Sequence, residues 1–204
     1  QYGVSPSNTA GKNDLAFAKA IAAVIVMGGG EIELGVGNFQ ISDAITLNTD
    51  SYTIGIAIVG KGRNTIITQT GAGKDVIKFS TTQFLQNSYL KNLQLVSGST
   101  SGHVVNIVYG CTCCYFDNVE MVQNNPAKAL IYGDYTSFGG GVYDTKFRGG
   151  SWYCHASSTE AGVRIKANGT IFNENIFENI RCYNANLIQF FHITTNTTAS
   201  IWLT

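Results

Sequence analysis

Cys114-Tyr-Phe-Asp-Asn-Val-Glu-Met-Val122 reads as one β-strand that bends at Asn118. Phe116, Val119 and Met121 point inward if the alternation of a strand restarts after the asparagine. Asparagine tolerates left-handed backbone and hydrogen-bonds to its own neighbours, so it can turn a chain sharply without ending the strand pairing. The stretch therefore predicts two short strands joined by a sharp corner.

The same pattern recurs along the chain. It is repeated at Tyr89-Leu-Lys-Asn-Leu-Gln-Leu95 and at Ile176-Phe-Glu-Asn-Ile-Arg-Cys182. A weaker copy, Tyr143-Asp-Thr-Lys-Phe-Arg148, carries Lys146 where the others carry asparagine. A second strand family lies between the copies, with the inward pairs Ile77/Phe79, Val105/Ile107, Val163/Ile165 and Ile188/Phe190. Repetition at a period of roughly 20–50 residues indicates a solenoid.

The type of solenoid follows from the strands in each repeat. Three short strands without a helix exclude leucine-rich and helical repeats. A propeller blade needs antiparallel strands joined by hairpins, and Asn-Gly hairpin signals are nearly absent. The pattern therefore predicts an all-β fold, a right-handed single-stranded parallel β-helix, with Asn92, Asn118 and Asn179 stacked at one corner.

The N-terminal part of the chain has a helical pattern instead. We expect a lead-in over residues 1–12 and a capping α-helix over 13–27, begun by Asn13 or Asp14 and ended by Gly28-Gly-Gly30. Such a helix would cover the exposed edge of the first coil. Its expected buried face holds Leu15, Ala18, Ile21, Ala22 and Ile25.

The coils are expected to fill residues 31–204 and to form one domain with the helix. The chain stops at Ile201-Trp-Leu-Thr204, which reads as the start of another strand. We therefore expect the sequence to be a fragment of a longer chain.

Composition narrows the possible partners. The chain has 13 basic and 13 acidic residues and a formal net charge of zero, which argues against nucleic acid or an anionic membrane surface as partner. No apolar run approaches the roughly 20 residues that span a bilayer. The five cysteines lack the spacing of a zinc site, so we expect no metal or cofactor, with Cys114 and Cys182 free and buried.

The order of motifs at the start of the chain is familiar. Tyr2-Gly-Val-Ser-Pro-Ser-Asn-Thr9 precedes an Ala-rich helix containing Asp14, and Glu31-Ile-Glu-Leu34 and Gly37-Asn-Phe-Gln-Ile41 open the coils. This order resembles the pectate-lyase-like superfamily and, within it, phage tailspikes and capsule depolymerases. The resemblance implies a homotrimer on the virion tail, made in the host cytoplasm and acting outside the cell. It also implies binding of a bacterial surface polysaccharide, either capsule or O-antigen, and its cleavage by glycoside hydrolysis or by lyase elimination.

Two other functions stay open. One is a cellular, secreted polysaccharide lyase or polygalacturonase-like hydrolase. The other, from a different class, is a non-catalytic structural or adhesin β-helix.

Carboxylates are the candidate catalytic groups. Glycoside hydrolysis needs two carboxyl groups about 5 Å apart for retention or about 6.5–9.5 Å apart for inversion. Outward side chains on neighbouring coils lie about 4.8 Å apart along the stack, so successive coils could supply such a pair. The predicted catalytic residues are Asp117, Glu120, Asp144 and Glu178, with Asp117 and either Asp144 or Glu178 as the preferred pair. The alternative is that these are solvated surface charges.

Basic residues on the second strand family could bind an acidic sugar. Gly162-Val-Arg-Ile-Lys166 resembles the Arg-Ile-Lys motif of polygalacturonases, although the other motifs of that family do not follow in order or spacing. The match also fits ordinary strand periodicity with two exposed bases. As outward residues, Arg164 and Lys166 are predicted to bind substrate by charge-assisted hydrogen bonds, together with Lys78. The expected outward row is Lys78, Asn106, Arg164 and Gln189.

Aromatic residues near the enlarged coil form the last group. Tyr135, Trp152 and Tyr153 are predicted to stack on sugar rings, because tyrosine and tryptophan combine a large apolar face with a polar end. For Trp152 the alternative is that it packs beneath its own loop.

Overall fold

The structure is a computed structural model that describes residues 2–48, 54–79, 84–135, 140–167, 172–183, 191–195 and 201–203. These residues form one helix, α1 (Ala10–Val26), and 21 strands. In chain order the strands are β1 (Gly30–Glu33), β2 (Gly37–Ile41), β3 (Ile45–Leu47), β4 (Ile56–Val59), β5 (Thr65–Gln69), β6 (Ile77–Phe79), β7 (Leu85–Gln86), β8 (Tyr89–Val96), β9 (Val105–Ile107), β10 (Gly110–Thr112), β11 (Tyr115–Val122), β12 (Ile131–Tyr135), β13 (Gly141–Tyr143), β14 (Lys146–Arg148), β15 (Ser151–Tyr153), β16 (Val163–Ala167), β17 (Phe172–Asn173), β18 (Asn175–Glu178), β19 (Arg181–Tyr183), β20 (Phe191–Thr195) and β21 (Ile201–Leu203).

The strands form three parallel sheets. The first sheet has 11 strands: β1, β2, β4, β5, β8, β11, β14, β15, β18, β19 and β21. The second sheet has six, β3, β6, β9, β12, β16 and β20, and the third has four, β7, β10, β13 and β17. Each strand pairs in parallel with strands one turn away, as β11 does with β8 and β14. The predicted fold is confirmed: the chain is a parallel β-solenoid of about 5 turns with one N-terminal helix.

The first sheet bends at the asparagine corner. Asn92, Asn118 and Asn179 have left-handed backbone, with φ of 52°, 52° and 54°. The predicted corner is confirmed, but Lys146 is not part of it. Because Lys146 pairs with Tyr115, the position next to Asn118 falls on Gly149, which has φ 64°.

A second left-handed corner precedes the first one on the four turns that contain β8, β11, β14 and β18. Its residues have φ between 39° and 57° and are Asn87, Cys113, Asp144 and Glu174. We call the part of the first sheet between the two corners the first arm: β1, β4, β14, β18, β21 and the first halves of β8 and β11. The part after the asparagine corner is the second arm. The first arm is therefore a narrow strip with a fixed turn at each long edge.

Aromatic rings fill the core behind the first arm. Phe116, Phe147 and Phe177 stack on successive turns with ring centroids 4.6 Å apart. Trp152 meets Phe147 edge-on at 6.0 Å. Burying a side chain of this kind stabilises the fold by roughly 1.5–3 kcal/mol. The inward alternation predicted around Phe116 is therefore what holds the turns together.

Two residues predicted to contact sugar lie in this core instead. Trp152 is 1% exposed and donates its Nε1 hydrogen to the carbonyl oxygen of Val119 at 3.2 Å. Tyr135 is fully buried, and its ring lies over Gly133, where a Cβ would come within 2.5 Å of the tyrosine oxygen. The prediction that Tyr135 and Trp152 line a groove is wrong, because both occupy inward positions of their strands.

Helix α1 begins earlier than predicted. Thr9 stands at the N-cap position without a side-chain cap bond, so neither Asn13 nor Asp14 caps the helix. The Nδ2 of Asn13 donates to the carbonyl oxygen of Gln40 at 3.0 Å, and the carboxylate of Asp14 accepts from the hydroxyl of Ser42 at 2.6 Å. The two residues therefore tie the helix to β2 and to the residue that follows it.

The buried face of α1 also differs from the prediction. Ala16, Phe17, Ala20, Ile21 and Val24 are buried, so only Ile21 is common to the two sets. Because buried Asn13 is part of this face, a purely apolar criterion selects the wrong stripe, and Leu15 is 65% exposed.

Among the described residues, no helix has the length and apolar character needed to span a membrane.

All five cysteines are free. Cys114 is buried as predicted, and burial raises the pKa of its thiol well above the ordinary value. Cys182 pairs with inward-facing Trp152 in the register, as predicted, but it is exposed, which contradicts the expectation that it is buried.

Candidate functional site

The outward surface of the first arm carries a groove. It encloses a cavity of about 400 Å³. Two parallel columns of side chains, one residue from each turn, line it. We call Tyr89, Tyr115 and Lys146 the tyrosine column and Lys91, Asp117, Arg148 and Glu178 the charged column. Glu178 continues the charged column beyond the residues that line the cavity itself. The first-arm groove is the candidate site, because concave surfaces with converging polar and aromatic groups are where ligands bind.

The charged column alternates in sign. The Nζ of Lys91 lies 3.1 Å from Oδ2 of Asp117, and the Nε of Arg148 lies 3.2 Å from Oε2 of Glu178. All four side chains are between about a third and a half exposed. Ion pairs at such exposure contribute about 0–1 kcal/mol each. They are weak enough for a ligand to rearrange.

The two predicted carboxylates that the structure places in one column are Asp117 and Glu178. They are aligned through Arg148, which pairs with both in the sheet register. Two strand spacings separate them, roughly 9.6 Å between backbones. This backbone spacing is compatible with the roughly 6.5–9.5 Å that separates the carboxyl groups of an inverting pair.

Asp144 is not brought together with Asp117. It lies at the left-handed corner that precedes the first arm, where the thiol of Cys113 donates to its Oδ2 at 3.5 Å. Asp117 lies just before the asparagine corner, at the other edge of the arm. The alternative pair of Asp117 with Asp144 is therefore wrong.

Glu120 is outward in the strand alternation but inaccessible. Its side chain is 8% exposed, because the Nε of Arg63 covers it at 2.8 Å. The Nε2 of Gln94 donates to its other oxygen at 3.3 Å. The prediction of Glu120 as a catalytic carboxylate is wrong, since the chain before β5 folds over it.

The tyrosine column presents phenol groups to the groove. The hydroxyl of Tyr89 donates to Oε1 of Glu31. Partial burial and this hydrogen bond raise the pKa of Tyr89 to about 12, so the phenol stays protonated. Tyr115 is 37% exposed, and the Nζ of Lys146 lies 5.7 Å from the centre of its ring. The groove thus combines aromatic surface with charged groups.

The second sheet carries the predicted basic row. Lys78, Asn106 and Arg164 lie in one column, as expected, and Tyr132 completes it between Asn106 and Arg164. Residue 189 lies outside the described residues. The register places His192 beside Arg164 in that column.

Acidic neighbours pair with two of the three predicted bases. The Nζ of Lys166 lies 3.3 Å from Oδ2 of Asp134, and this hydrogen bond raises the pKa of Lys166. The Nζ of Lys78 lies 3.9 Å from Oδ2 of Asp75. Arg164 contacts Nδ1 of His192. The charges needed to bind an acidic sugar are therefore largely balanced on this face.

A buried histidine that the sequence did not indicate supports the same face. The ring of His103 stacks on Tyr132 with centroids 4.1 Å apart, and its Nδ1 accepts from the backbone N–H of Ala129. Burial lowers the pKa of His103 to about 4, although Asp75 acts in the opposite direction. Asp75 in turn accepts hydrogen bonds from the backbone of His103 and from Asn106. We interpret this network as structural, because its groups bond to one another.

Tyr153 is the one predicted aromatic residue on the surface. It lies on the second arm and stacks on Tyr183, with ring centroids 4.7 Å apart. This pair is separated from the first-arm groove by the asparagine corner.

In the part of the chain that the structure describes, no group of three or more His, Cys, Asp or Glu side chains is placed to hold a metal ion.

The fold of this chain is similar to those of several solved structures. No protein-family model and no curated protein matches the sequence. A candidate glycosyl hydrolase from Parabacteroides merdae ATCC 43184 aligns with 97% of this chain and 92% of its own, at 13% identity and a TM-score of 0.49. ORF18 of Geobacillus virus E2 aligns with 99% of this chain and 60% of its own, at 14% identity and a TM-score of 0.40. The Agl-KA catalytic domain aligns with 99% of this chain and 46% of its own, at 15% identity and a TM-score of 0.45. The chain is thus distantly similar in structure to glycosyl hydrolase domains and to a phage protein.

Proposed function

We propose that this chain is a carbohydrate-binding β-helix of the phage tailspike type, which holds a bacterial capsule or O-antigen polysaccharide in the first-arm groove and cleaves it. The observation that carries the proposal is the pairing of the tyrosine column with the charged column along the solenoid axis. A polysaccharide offers apolar ring faces and rows of hydroxyl groups. Tyrosine rings match the faces, and charged side chains form strong hydrogen bonds with the hydroxyls.

Cleavage is assigned to Asp117 and Glu178. Their backbones are roughly 9.6 Å apart, and the Arg148 side chain between them must move aside to admit a sugar ring and a water molecule. In hydrolysis with inversion, one carboxyl group protonates the leaving oxygen and the other activates the water. In the strand register Arg148 pairs with both carboxylate residues, so its side chain would contact the bound sugar.

An adhesin is the second candidate, and one observation favours it. Asp117 and Glu178 are both ion-paired, to Lys91 and Arg148. A groove whose carboxylates stay paired would bind a polysaccharide without cleaving it. A secreted polysaccharide lyase or polygalacturonase-like enzyme would act on the same polymer by other residues.

The tailspike proposal includes assembly and location. It assigns the chain to a homotrimer on the virion tail, made in the host cytoplasm and acting outside the cell. Sedimentation equilibrium of the full chain tests the first part, because a monomer at micromolar concentration would contradict the trimer.

The central experiment separates binding from cleavage. Purified capsule and O-antigen polysaccharides are screened by biolayer interferometry for binding and by size-exclusion chromatography for a fall in polymer length. Loss of one catalytic carboxylate should lower the rate by about 100-fold or more. We expect Asp117→Asn and Glu178→Gln to have this effect with binding retained.

Asp43→Asn is the matched control, because Asp43 is also an exposed, ion-paired carboxylate, 3.0 Å from Lys74 and away from the groove. It should leave both readouts unchanged. Binding without shortening would establish the adhesin, and no binding to any polymer would overturn the proposal.

A second comparison places the ligand. Tyr115→Ala should weaken binding about 2- to 10-fold, because stacking on an aromatic ring contributes about 0.5–1.5 kcal/mol beyond buried area. Tyr153→Ala, on the second arm, should have no effect. The reverse result would move the binding site to the Tyr153–Tyr183 pair.

A further inference from the structure

Lys146 differs from the other cations of the first-arm groove. Lys91 and Arg148 each have a carboxylate partner within 3.2 Å. Within the described residues, no carboxylate oxygen lies within the 4.0 Å ion-pair distance of the Lys146 ammonium. The ammonium rests over the ring of Tyr115 instead, 5.7 Å from its centre. Lys146 is therefore the groove cation that has charge to offer a ligand.

The position over Tyr115 has a consequence for stacking. The same contact that holds the ammonium also covers one face of the most exposed ring in the groove. A sugar that stacks on this face must first displace the lysine. A cation–π contact at an exposed site is weaker than a charge-assisted hydrogen bond to an anion. An anionic group can therefore draw the ammonium away, and a hydroxyl group does so less well.

The geometry also allows one sugar to stack on Tyr115 and to present its anionic group to Lys146. Tyr115 and Lys146 are direct partners on adjacent turns, about 4.8 Å apart in the backbone. A substituent of the sugar over Tyr115 is therefore within reach of the flexible lysine side chain. The cavity lining contains three cations, Lys91, Lys146 and Arg148, and two carboxylates, Glu31 and Asp117. Glu178 of the charged column lies outside this lining and pairs with Arg148, so Lys146 is the cation that an added negative charge can meet.

We propose that Lys146 is a specificity device that covers Tyr115 until an anionic substituent of the polysaccharide binds the ammonium and uncovers the ring. The inference rests on the proposed function and adds a substrate class to it. The bound sugar carries a carboxylate, sulfate or phosphate. Recognition of the anion and stacking of the sugar are then one coupled step.

The test compares each acidic polymer with its neutral counterpart. Acidic capsule polysaccharides are measured before and after their uronic carboxyl groups are reduced to alcohols. A second arm uses sulfated or phosphorylated polymers before and after removal of those groups. The wild type should bind at least one anionic polymer about 10-fold more tightly than its neutral form, and 0.5 M NaCl should reduce the difference by screening.

Three substitutions at Lys146 separate the effect of its charge from the effect of a side chain lying over the Tyr115 ring. Lys146→Ala should abolish the preference for the anionic polymer. Binding of the anionic polymer should weaken about 10-fold, while the neutral polymer should bind as well as or better than before. Lys146→Met removes the charge but keeps a side chain over the ring, so neither polymer should gain. Lys146→Arg should keep the preference. Lys74→Ala, an exposed lysine outside the groove, is the control.

The outcomes distinguish the two proposals. If no polymer binds the wild type, both fail. If polymers bind in a Tyr115-dependent manner but Lys146→Ala leaves the anionic-to-neutral ratio unchanged, only the role of Lys146 is overturned.

Discussion

Asn118 donates a hydrogen bond from its side-chain Nδ2 to the Oδ1 of Asn92, 3.0 Å away on the preceding turn. The two residues share a left-handed backbone, so each supports the corner that the other needs. Gly149 follows at the same position of the next turn and has no side chain to continue the ladder.

Gly149→Asn should extend this ladder. Its φ of 64° strains most side chains, but asparagine adopts a similar φ at Asn92, Asn118 and Asn179. A Cβ at Gly149 would lie 3.8 Å from the Cα of Asn118, an ordinary contact. An asparagine also restricts the unfolded chain more than glycine does. We expect a gain of about 0.5–1 kcal/mol in the free energy of unfolding, measured by urea denaturation.

The neighbouring Gly150 supplies the control. A Cβ at Gly150 would lie 2.2 Å from the carbonyl oxygen of Val119, so Gly150→Asn should destabilise the protein by about 2 kcal/mol or more. Equal effects of the two substitutions would contradict the register assigned to this corner.

Asn13→Ala should destabilise the protein although it improves helix propensity. In an isolated helix the change is favourable by about 0.5 kcal/mol. Here it removes hydrogen bonds to the carbonyl oxygen of Gln40 and from the backbone of Ser5, both 3.0 Å long, at a fully buried position. We expect a net loss of about 2 kcal/mol in urea denaturation.

Lys12→Ala is the matched change on the exposed face and should stay within about 0.5 kcal/mol of the wild type. A stabilising Asn13→Ala would show that the helix does not need this tether.

Gln123 closes the corner between the second arm and the second sheet. Its Nε2 donates to the carbonyl oxygen of Ala129 at 2.8 Å, and its Oε1 accepts from the backbone of Asn125 at 3.0 Å. The Gln123 side chain is 1% exposed, so water does not replace its hydrogen bonds. Gln123→Ala therefore leaves the carbonyl oxygen of Ala129 and the backbone N–H of Asn125 unsatisfied, and we expect the free energy of unfolding to fall by about 3 kcal/mol.

Thermal melts of Gln123→Ala and Gln94→Ala make the comparison, since Gln94 donates one long hydrogen bond to Glu120. A similar cost at both positions would mean that the buried bonds of Gln123 do not matter.

His103 predicts a loss of stability in mild acid. Its pKa is about 4 in the folded protein, against about 6.5 when unfolded, so the unfolded chain binds more protons between these values. Stability therefore falls as the pH drops through 6.5 towards 4. At pH 5 this group should cost about 2 kcal/mol relative to pH 8.

Urea denaturation of the wild type and of His103→Asn at both pH values isolates the effect, because acidic ion pairs are common to the two proteins. The asparagine oxygen can still accept from Ala129 but does not titrate. Equal losses in both proteins would show that His103 is not the group responsible.

The fold could be predicted because one residue type marks one corner. Asn92, Asn118 and Asn179 stand at equivalent positions, and their recurrence reveals the turn. The other left-handed corner holds Asn87, Cys113, Asp144 and Glu174, four different residue types, so no pattern shows it. On the turn between Asn118 and Asn179 the corner residue is Gly149 instead of asparagine. Because the asparagine is missing there, the sequence does not reveal that Arg148 follows Asp117 in the charged column.

The candidate site could be predicted only in part for the same reason. The sequence identifies Asp117 and Glu178 as outward carboxylates, but their partners Lys91 and Arg148 come from neighbouring turns. Side chains on different turns meet only when the register is known. Burial of Tyr135 likewise depends on the space left by Gly133 one alternation earlier, which composition does not reveal.

The alternating signs of the charged column constrain how a chain of this kind can change length. Removing the turn that contains Asp117 would set Lys91 against Arg148, and removing the next would set Asp117 against Glu178. Like charges directly opposite each other in a sheet are destabilising. Removing or duplicating two turns together restores the alternation. We expect variants of this solenoid shortened by two turns to be less sensitive to salt than variants shortened by one, so the smallest unit of growth along this face is a pair of turns.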